Sequence, residues 1–139
     1  MKINEIQDEI IDEFSFFDDW MDKYEYLISL GKNLPLIEEQ YKDESHLIKG
    51  CQSRVWLHAD EEERKVVFTA DSDAVITKGI IALLIRVLSN QDAEAVAASD
   101  LYFIEKIGLR EHLSPTRSNG LVSMVKQMKL YGVALLTKS

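Results

Sequence analysis

Ser53-Arg54-Val55-Trp56-Leu57-His58-Ala59 and, a few residues later, Lys65-Val66-Val67-Phe68-Thr69-Ala70 decide the fold. The first run alternates at period two, with Val55 and Leu57 on one side and Arg54, Trp56 and His58 on the other, the pattern of a strand with one face on a core. The second is rich in β-branched and aromatic residues and is also a strand. Asp60-Glu61-Glu62-Glu63-Arg64 between them is polar and turn-like, so the two runs form an antiparallel hairpin. Asp71-Ser72-Asp73 then offers short side chains able to cap a helix. The helix expected from Val75 to about Ser89 is apolar nearly all round, as a central buried helix is. Gly79 costs such a helix about 1 kcal/mol relative to alanine, which points to close packing against another element.

Outward from this centre the chain reads as helices. Asn4 can cap a helix carrying Ile6, Ile10, Ile11, Phe14 and Phe17. A second starts near Asp18 or Asp19, carries Trp20, Tyr24, Leu27 and Ile28, and stops at Gly31. Pro35 opens a segment with a short helix from Leu36 to Tyr41. Beyond the centre lie two short helical pieces, Ala93 to Ala98 and Leu101 to Ile107, the second closed by Gly108. Ser114 as cap and Pro115 at the first helical position begin the last helix. Its apolar stripe is Leu121, Met124, Val125, Met128, Tyr131, Leu135 and Leu136, with Lys126, Lys129 and Lys138 outward. The expected fold class is α+β, a small antiparallel β-sheet packed against helices, in one domain spanning residues 1–139.

Composition narrows the function. The chain has 139 residues, 46% hydrophobic and 29% charged, an ordinary globular balance. Its 16 basic and 24 acidic residues leave a net charge of −8, which argues against nucleic acid or an anionic membrane as the main partner. The acidity is local: residues 1–44 hold 13 acids and 4 bases, net −9, and residues 45–139 hold 11 acids and 12 bases, net +1. Such polarity can orient a protein partner. No leader or membrane segment is visible, since the apolar run Ile80 to Leu88 is short and broken by Arg86, so a cytoplasmic location is expected.

Cys51 is the only cysteine, which excludes an internal disulfide, a CxxC redox pair and a cysteine-rich metal cage. It stands in Lys49-Gly50-Cys51-Gln52-Ser53-Arg54, at the junction of a polar loop and the first strand. A lone cysteine is commonly an inert small hydrophobe. Here its neighbours are polar, Gly50 permits an exposed turn or a close backbone approach, and Lys49, Arg54 and His46 are cations or potential cations that favour a thiolate. Cys–His acyl transfer would need His46, His58 or His112 as base, and none lies in a recognisable motif. Reversible capture of sulfur as a persulfide needs one accessible thiol and nothing else. A third reading is a non-catalytic adaptor that acts through its surface alone. Asp8/Glu9, Asp12/Glu13 and Glu61–Glu63 look like solvated charge, and Trp56 and the Met124/Met128 stripe look like core. Asp71 and Asp73 read as a turn and helix cap, with loop anchoring or desulfurase contact as the functional alternative, and Arg117 reads as making a structural ion pair or carbonyl bonds, with partner docking as the alternative.

Four stretches, in this order and spacing, resemble the SufE/CsdE family of sulfur-acceptor proteins of Fe–S cluster assembly. They are Leu34-Pro35, Ile48 through Trp56, Ala70-Asp71-Ser72-Asp73-Ala74 running into Ile76-Thr77-Lys78-Gly79-Ile80, and Leu113-Ser114-Pro115-Thr116-Arg117-Ser118-Asn119-Gly120-Leu121. The resemblance implies an α+β sandwich related to the IscU scaffolds. It implies that Cys51 takes persulfide sulfur from a SufS/CsdA-type cysteine desulfurase, stimulates it, and passes the sulfur to an Fe–S scaffold protein. It implies no cofactor on this chain, the pyridoxal phosphate residing on the desulfurase, and a monomer or homodimer. Gly50, Gln52 and Ser53 would complete the acceptor loop, with Asp71, Asp73, Arg54 and Arg117 supporting it or docking the partner. In that fold the loop tucks its cysteine inward and swings it out on contact, so Cys51 is expected at a loop tip with poor exposure.

Overall fold

The hairpin forms and is longer than its alternation suggests. In the computed structural model, which describes residues 2–138 (Lys138 by its backbone alone), β1 is Val55–Glu62 and β2 is Lys65–Ser72. They pair antiparallel from Val55 opposite Ser72 to Glu62 opposite Lys65. Asp60, Glu61 and Glu62 are therefore strand, not turn. The turn is Glu63-Arg64 alone, with φ of 51° and 69°, the backbone twist that suits a two-residue hairpin. Neither residue is glycine or asparagine, so the sequence carries no local sign of it.

The ladder puts Val55, Leu57, Val66, Phe68 and Ala70 on one fully buried face. Trp56, His58 and Asp71 take the opposite face, which is half-covered. A two-residue β3, Gln91–Asp92, adds to β2 at Lys65 and Val66 and is too short to be read from the sequence. At the other end of β2, Leu36 makes a parallel bridge to Ala70. The expected helix from Leu36 to Tyr41 is thus mostly extended, because backbone bonds to the sheet replace helical ones; only Glu39–Tyr41 forms a 3-10 turn.

On the buried face lies α3, Val75–Leu88, with nine of its fourteen residues buried and Val75 at its start exposed. Asp71 and Asp73 do not cap it: the preceding residue is Ala74, with no side-chain cap, because β2 carries the chain through Ser72. α3 packs against α2, Trp20–Gly31, which Asp19 caps through the Asp22 N–H. The seam requires glycine. A Cβ on Gly79 would sit 2.7 Å from the carbonyl carbon of Leu27 and closer still to its oxygen, so the close packing expected of Gly79 is present.

α1, Ile3–Phe14, begins one residue before Asn4, so Asn4 is not its cap; the Glu5 carboxylate accepts the Lys2 N–H instead. Phe17 lies beyond the helix end and packs edge-on against Phe14. Gln7 is fully buried and joins α1 to a distant segment, donating to the Asp100 carbonyl and accepting the Phe103 N–H. Glu9 and Glu13 are not simply solvated, since both pair with Arg86 of α3 at 2.5 Å, and Tyr26 donates to Glu13.

The remaining helices are α4, Ala93–Ala98, α5, Phe103–Lys106, and α6, Pro115–Lys138. α6 begins at Pro115, with the Ser114 hydroxyl accepting the Arg117 N–H. Leu121, Met124 and Met128 are buried, while Leu136 is exposed, so the stripe thins toward the end. The outward reading of the Lys138 side chain lies outside the described residues.

Candidate functional site

The loop holding Cys51 is the tip of a small backbone closure. Leu47 bridges Trp56, and the Ile48 N–H donates to the Val55 carbonyl at 2.9 Å, leaving residues 49–54 as the loop. Gly50 turns the chain with φ of +90°, a conformation that favours glycine. The turn brings the loop against α6, where a Cβ on Gly50 would lie 2.6 Å from the Ser123 hydroxyl oxygen. The Cys51 thiol is half-buried and donates to the Gly120 carbonyl of α6 over 3.6 Å. A Cβ on Gly120 would stand 3.4 Å from that sulfur.

Burial pushes the Cys51 thiol up from its ordinary pKa. The expected pull of Lys49, Arg54 and His46 toward thiolate is not what governs it; desolvation does. His46 is engaged with Asp43 and His58 instead.

Beside the sulfur opens a cleft of about 300 Å³. Ile80 and Met124, both buried, give it apolar walls; Gln52, Ser53 and Thr77 add polar groups, and exposed Arg117 also lines it. Of the ion pair or carbonyl bonds expected of Arg117, no ion pair forms among the described residues, and neither Lys49 nor Arg54 has one. The cleft side of the molecule thus presents cations that the protein itself leaves unneutralised.

Asp73 holds the loop's exit. Its Oδ1 accepts the Arg54 N–H at 3.0 Å, and its own N–H donates to the Arg54 carbonyl at 3.3 Å. Asp71 is placed differently, on the outer face, paired with Lys42 at 2.6 Å and Lys78 at 3.3 Å. Burial pushes its carboxyl up, but Lys42, the Ser72 N–H and Lys78 together leave it below the ordinary value. Trp56 is half-buried under the Lys42 ammonium, 5.3 Å from its ring centre, and is not core.

No histidine serves Cys51 as a base. His46 and His58 bond each other and two aspartates, and His112 stacks on Trp20 with its Nδ1 at the Gly108 carbonyl. The Cys–His acyl-transfer reading therefore has no geometry behind it. Sequence reasoning missed Gly120, Ser123 and Met124 as neighbours of the loop. Glycine inside an otherwise ordinary helix was the available sign for the first.

Residues 8–131 match the SufE family model, described as an Fe-S metabolism associated domain. An uncharacterized SufE-like protein of Rhizobium meliloti (strain 1021) is 43% identical over 127 residues, 88% of this chain and 91% of that protein. One from Rhizobium etli is 45% identical over 127 residues, 88% and 86% of the two chains. SufE-like protein 1 of Arabidopsis thaliana, named chloroplastic/mitochondrial, is 40% identical over 131 residues, 94% of this chain but 35% of that longer protein. The solution structure of a hypothetical protein from Thermus thermophilus superposes with a TM-score of 0.79 at 22% identity, covering 95% of this chain and 96% of that one, and shows the same fold.

Proposed function

The chain belongs to the SufE family, with a role in Fe–S metabolism, and from that premise we propose that Cys51 is a persulfide carrier between a cysteine desulfurase and an Fe–S scaffold. In the first step the desulfurase presents its cysteine persulfide. The Cys51 thiol gives up its proton, and its sulfur attacks the terminal sulfur of that persulfide. The S–S bond breaks, the desulfurase thiolate leaves and takes up a proton, and Cys51 holds S–SH. Delivery repeats the exchange with an acceptor thiol, so neither step needs an outside oxidant or reductant. The chain in this reading is no enzyme but a substrate and activator of one.

The observation that carries the reading is the half-buried thiol at a loop tip, with a cleft of about 300 Å³ beside its sulfur. The cleft has room for a second sulfur atom, and its surroundings shield a persulfide from oxidants. Unpaired Arg117 on the cleft wall suits an acidic docking surface or the persulfide anion. The proposed compartment is the cytoplasm, where a lone thiol stays reduced; no helix among the described residues is long and apolar enough to cross a membrane.

The test separates a carrier from an adaptor. Adding the chain to a SufS/CsdA-type desulfurase should raise cysteine turnover, and Cys51→Ser should abolish the increase while leaving binding intact. Full stimulation by Cys51→Ser would instead show an adaptor acting through its surface.

A further inference from the structure

A second cluster of chemistry-bearing side chains lies outside the Cys51 cleft, on the outer face of the sheet. His46 belongs to the 3-10 turn Glu44–His46 and His58 to β1. Nε2 of His46 and Nδ1 of His58 stand 3.1 Å apart. The other nitrogen of each ring is tied to a carboxylate: His46 Nδ1 to Asp43 at 2.8 Å, and His58 Nε2 to Asp60 at 3.0 Å. Tyr41 lies flat on His58, ring centres 3.8 Å apart. The two imidazoles are 18% and 16% exposed, so both are held in place yet open to small solutes.

A carboxylate only accepts, so His46 Nδ1 and His58 Nε2 carry the ring hydrogens. The Ser45 hydroxyl also donates to the Asp43 carboxylate, at 2.7 Å. A neutral imidazole has one N–H, and in each ring it is already used. The facing nitrogens are then two lone-pair acceptors, and a contact of 3.1 Å between them calls for a cation in between. One shared proton is such a cation; a metal ion is another. Two imidazole nitrogens on a tetrahedral zinc, each at 2.0–2.1 Å, lie about 3.3 Å apart. Imidazoles whose outer N–H groups rest on carboxylates are also the arrangement that orients metal-binding histidines and raises their basicity.

We propose that His46 and His58 form a two-imidazole site for a borderline divalent metal ion such as Zn²⁺, with Asp43 and Asp60 fixing the rings. The metal would sit between the two facing ring nitrogens, which stand 3.1 Å apart. Among the described residues no group of three or more His, Cys, Asp or Glu side chains is placed to hold a metal ion, so the two imidazoles would be the only protein ligands and water would complete the coordination. A bound ion would tie β1 to the segment leading into the Cys51 loop. The site does not depend on persulfide transfer.

Titration calorimetry with ZnCl₂ tests it on the Cys51→Ser chain, which removes the thiol as a competing ligand. The expected result is saturable uptake of one ion per chain. Mg²⁺ should not compete, since imidazole suits zinc and carboxylate or water suits magnesium. His46→Gln and His58→Gln should each weaken binding at least tenfold, and Asp60→Asn by about tenfold, the usual effect of losing an orienting carboxylate. His46 sits in a surface turn, so its variant reports even where His58→Gln impairs folding. No saturable uptake, or uptake unchanged in the His46→Gln chain, overturns the proposal and leaves the pair a shared-proton contact.

Discussion

Glycine brings elements together both at the α2–α3 seam and at the Cys51 loop, and the neighbours differ. At the α2–α3 seam, Gly79 faces the Leu27 carbonyl, and a Cβ on Gly31 would lie 3.0 Å from the Gly79 nitrogen. Every neighbour there is backbone. At the loop, Gly50 faces the Ser123 hydroxyl and Gly120 faces the Cys51 sulfur. Both neighbours are the ends of side chains, and the thiol is tied to α6 by a 3.6 Å bond from a weak donor. The first seam has one arrangement and belongs to the core. The second can part at little cost, which is what a carrier loop needs if it shelters its thiol between encounters.

Glycine-to-alanine exchange should therefore act oppositely at Gly79 and at Gly120. Gly79→Ala forces a methyl into the Leu27 backbone and should destabilise by about 3 kcal/mol or more, since overpacked backbone cannot yield locally. Thermal unfolding would show a midpoint lower by roughly 10 °C. An unchanged midpoint would break the comparison.

Next in size is the ion pair that fastens α1 to α3. Arg86 and Tyr26 hold the Glu13 carboxyl below its ordinary value despite partial burial. A depressed carboxyl contributes stability above its unfolded pKa and loses it as pH falls through the folded value. Glu13→Gln should thus cost about 1 kcal/mol at pH 7, and the gap from wild type should close in unfolding curves taken toward pH 3.

Asp73→Ala removes the bond to the Arg54 N–H at the loop's exit. It should cost about 0.5–1 kcal/mol and speed alkylation of Cys51 by iodoacetamide several-fold. In the wild-type chain that alkylation should be slower at pH 7.5 than for a free cysteine, because burial raises the thiol's pKa and only the thiolate reacts. A rate above that of free cysteine would contradict a sheltered loop. The smallest effect is expected at Gly120→Ala: a Cβ 3.4 Å from sulfur is ordinary contact, and alanine favours helix by about 1 kcal/mol, so stability should hold or rise slightly.

What the sequence disclosed follows from the range of each interaction. Period-two alternation gave the hairpin and the apolar run gave α3, because burial of one face or of a whole helix is written in consecutive residues. Gly79 was legible as a close approach for the same reason. The Glu63-Arg64 turn, the Leu36 bridge and β3 were not, since strand pairing overrode local preference there. At the site, Cys51 and its loop were legible from neighbouring glycine and polar residues. The apposition of Gly120 and Ser123, and the parting of Asp71 from Asp73, depend on tertiary placement. The direction of the thiol's pKa was not legible, because the burial that raises it comes from packing against α6, far along the chain.

The central claim is that Cys51 itself carries the sulfur. Intact-mass measurement after incubating the chain with a cysteine desulfurase and cysteine tests it most directly. The account predicts an adduct of about 32 Da, one sulfur atom, on the wild-type chain, absent from Cys51→Ser and removed by a thiol reductant. An adduct that persists in Cys51→Ser, or no adduct on the wild-type chain while the desulfurase turns over, would contradict it.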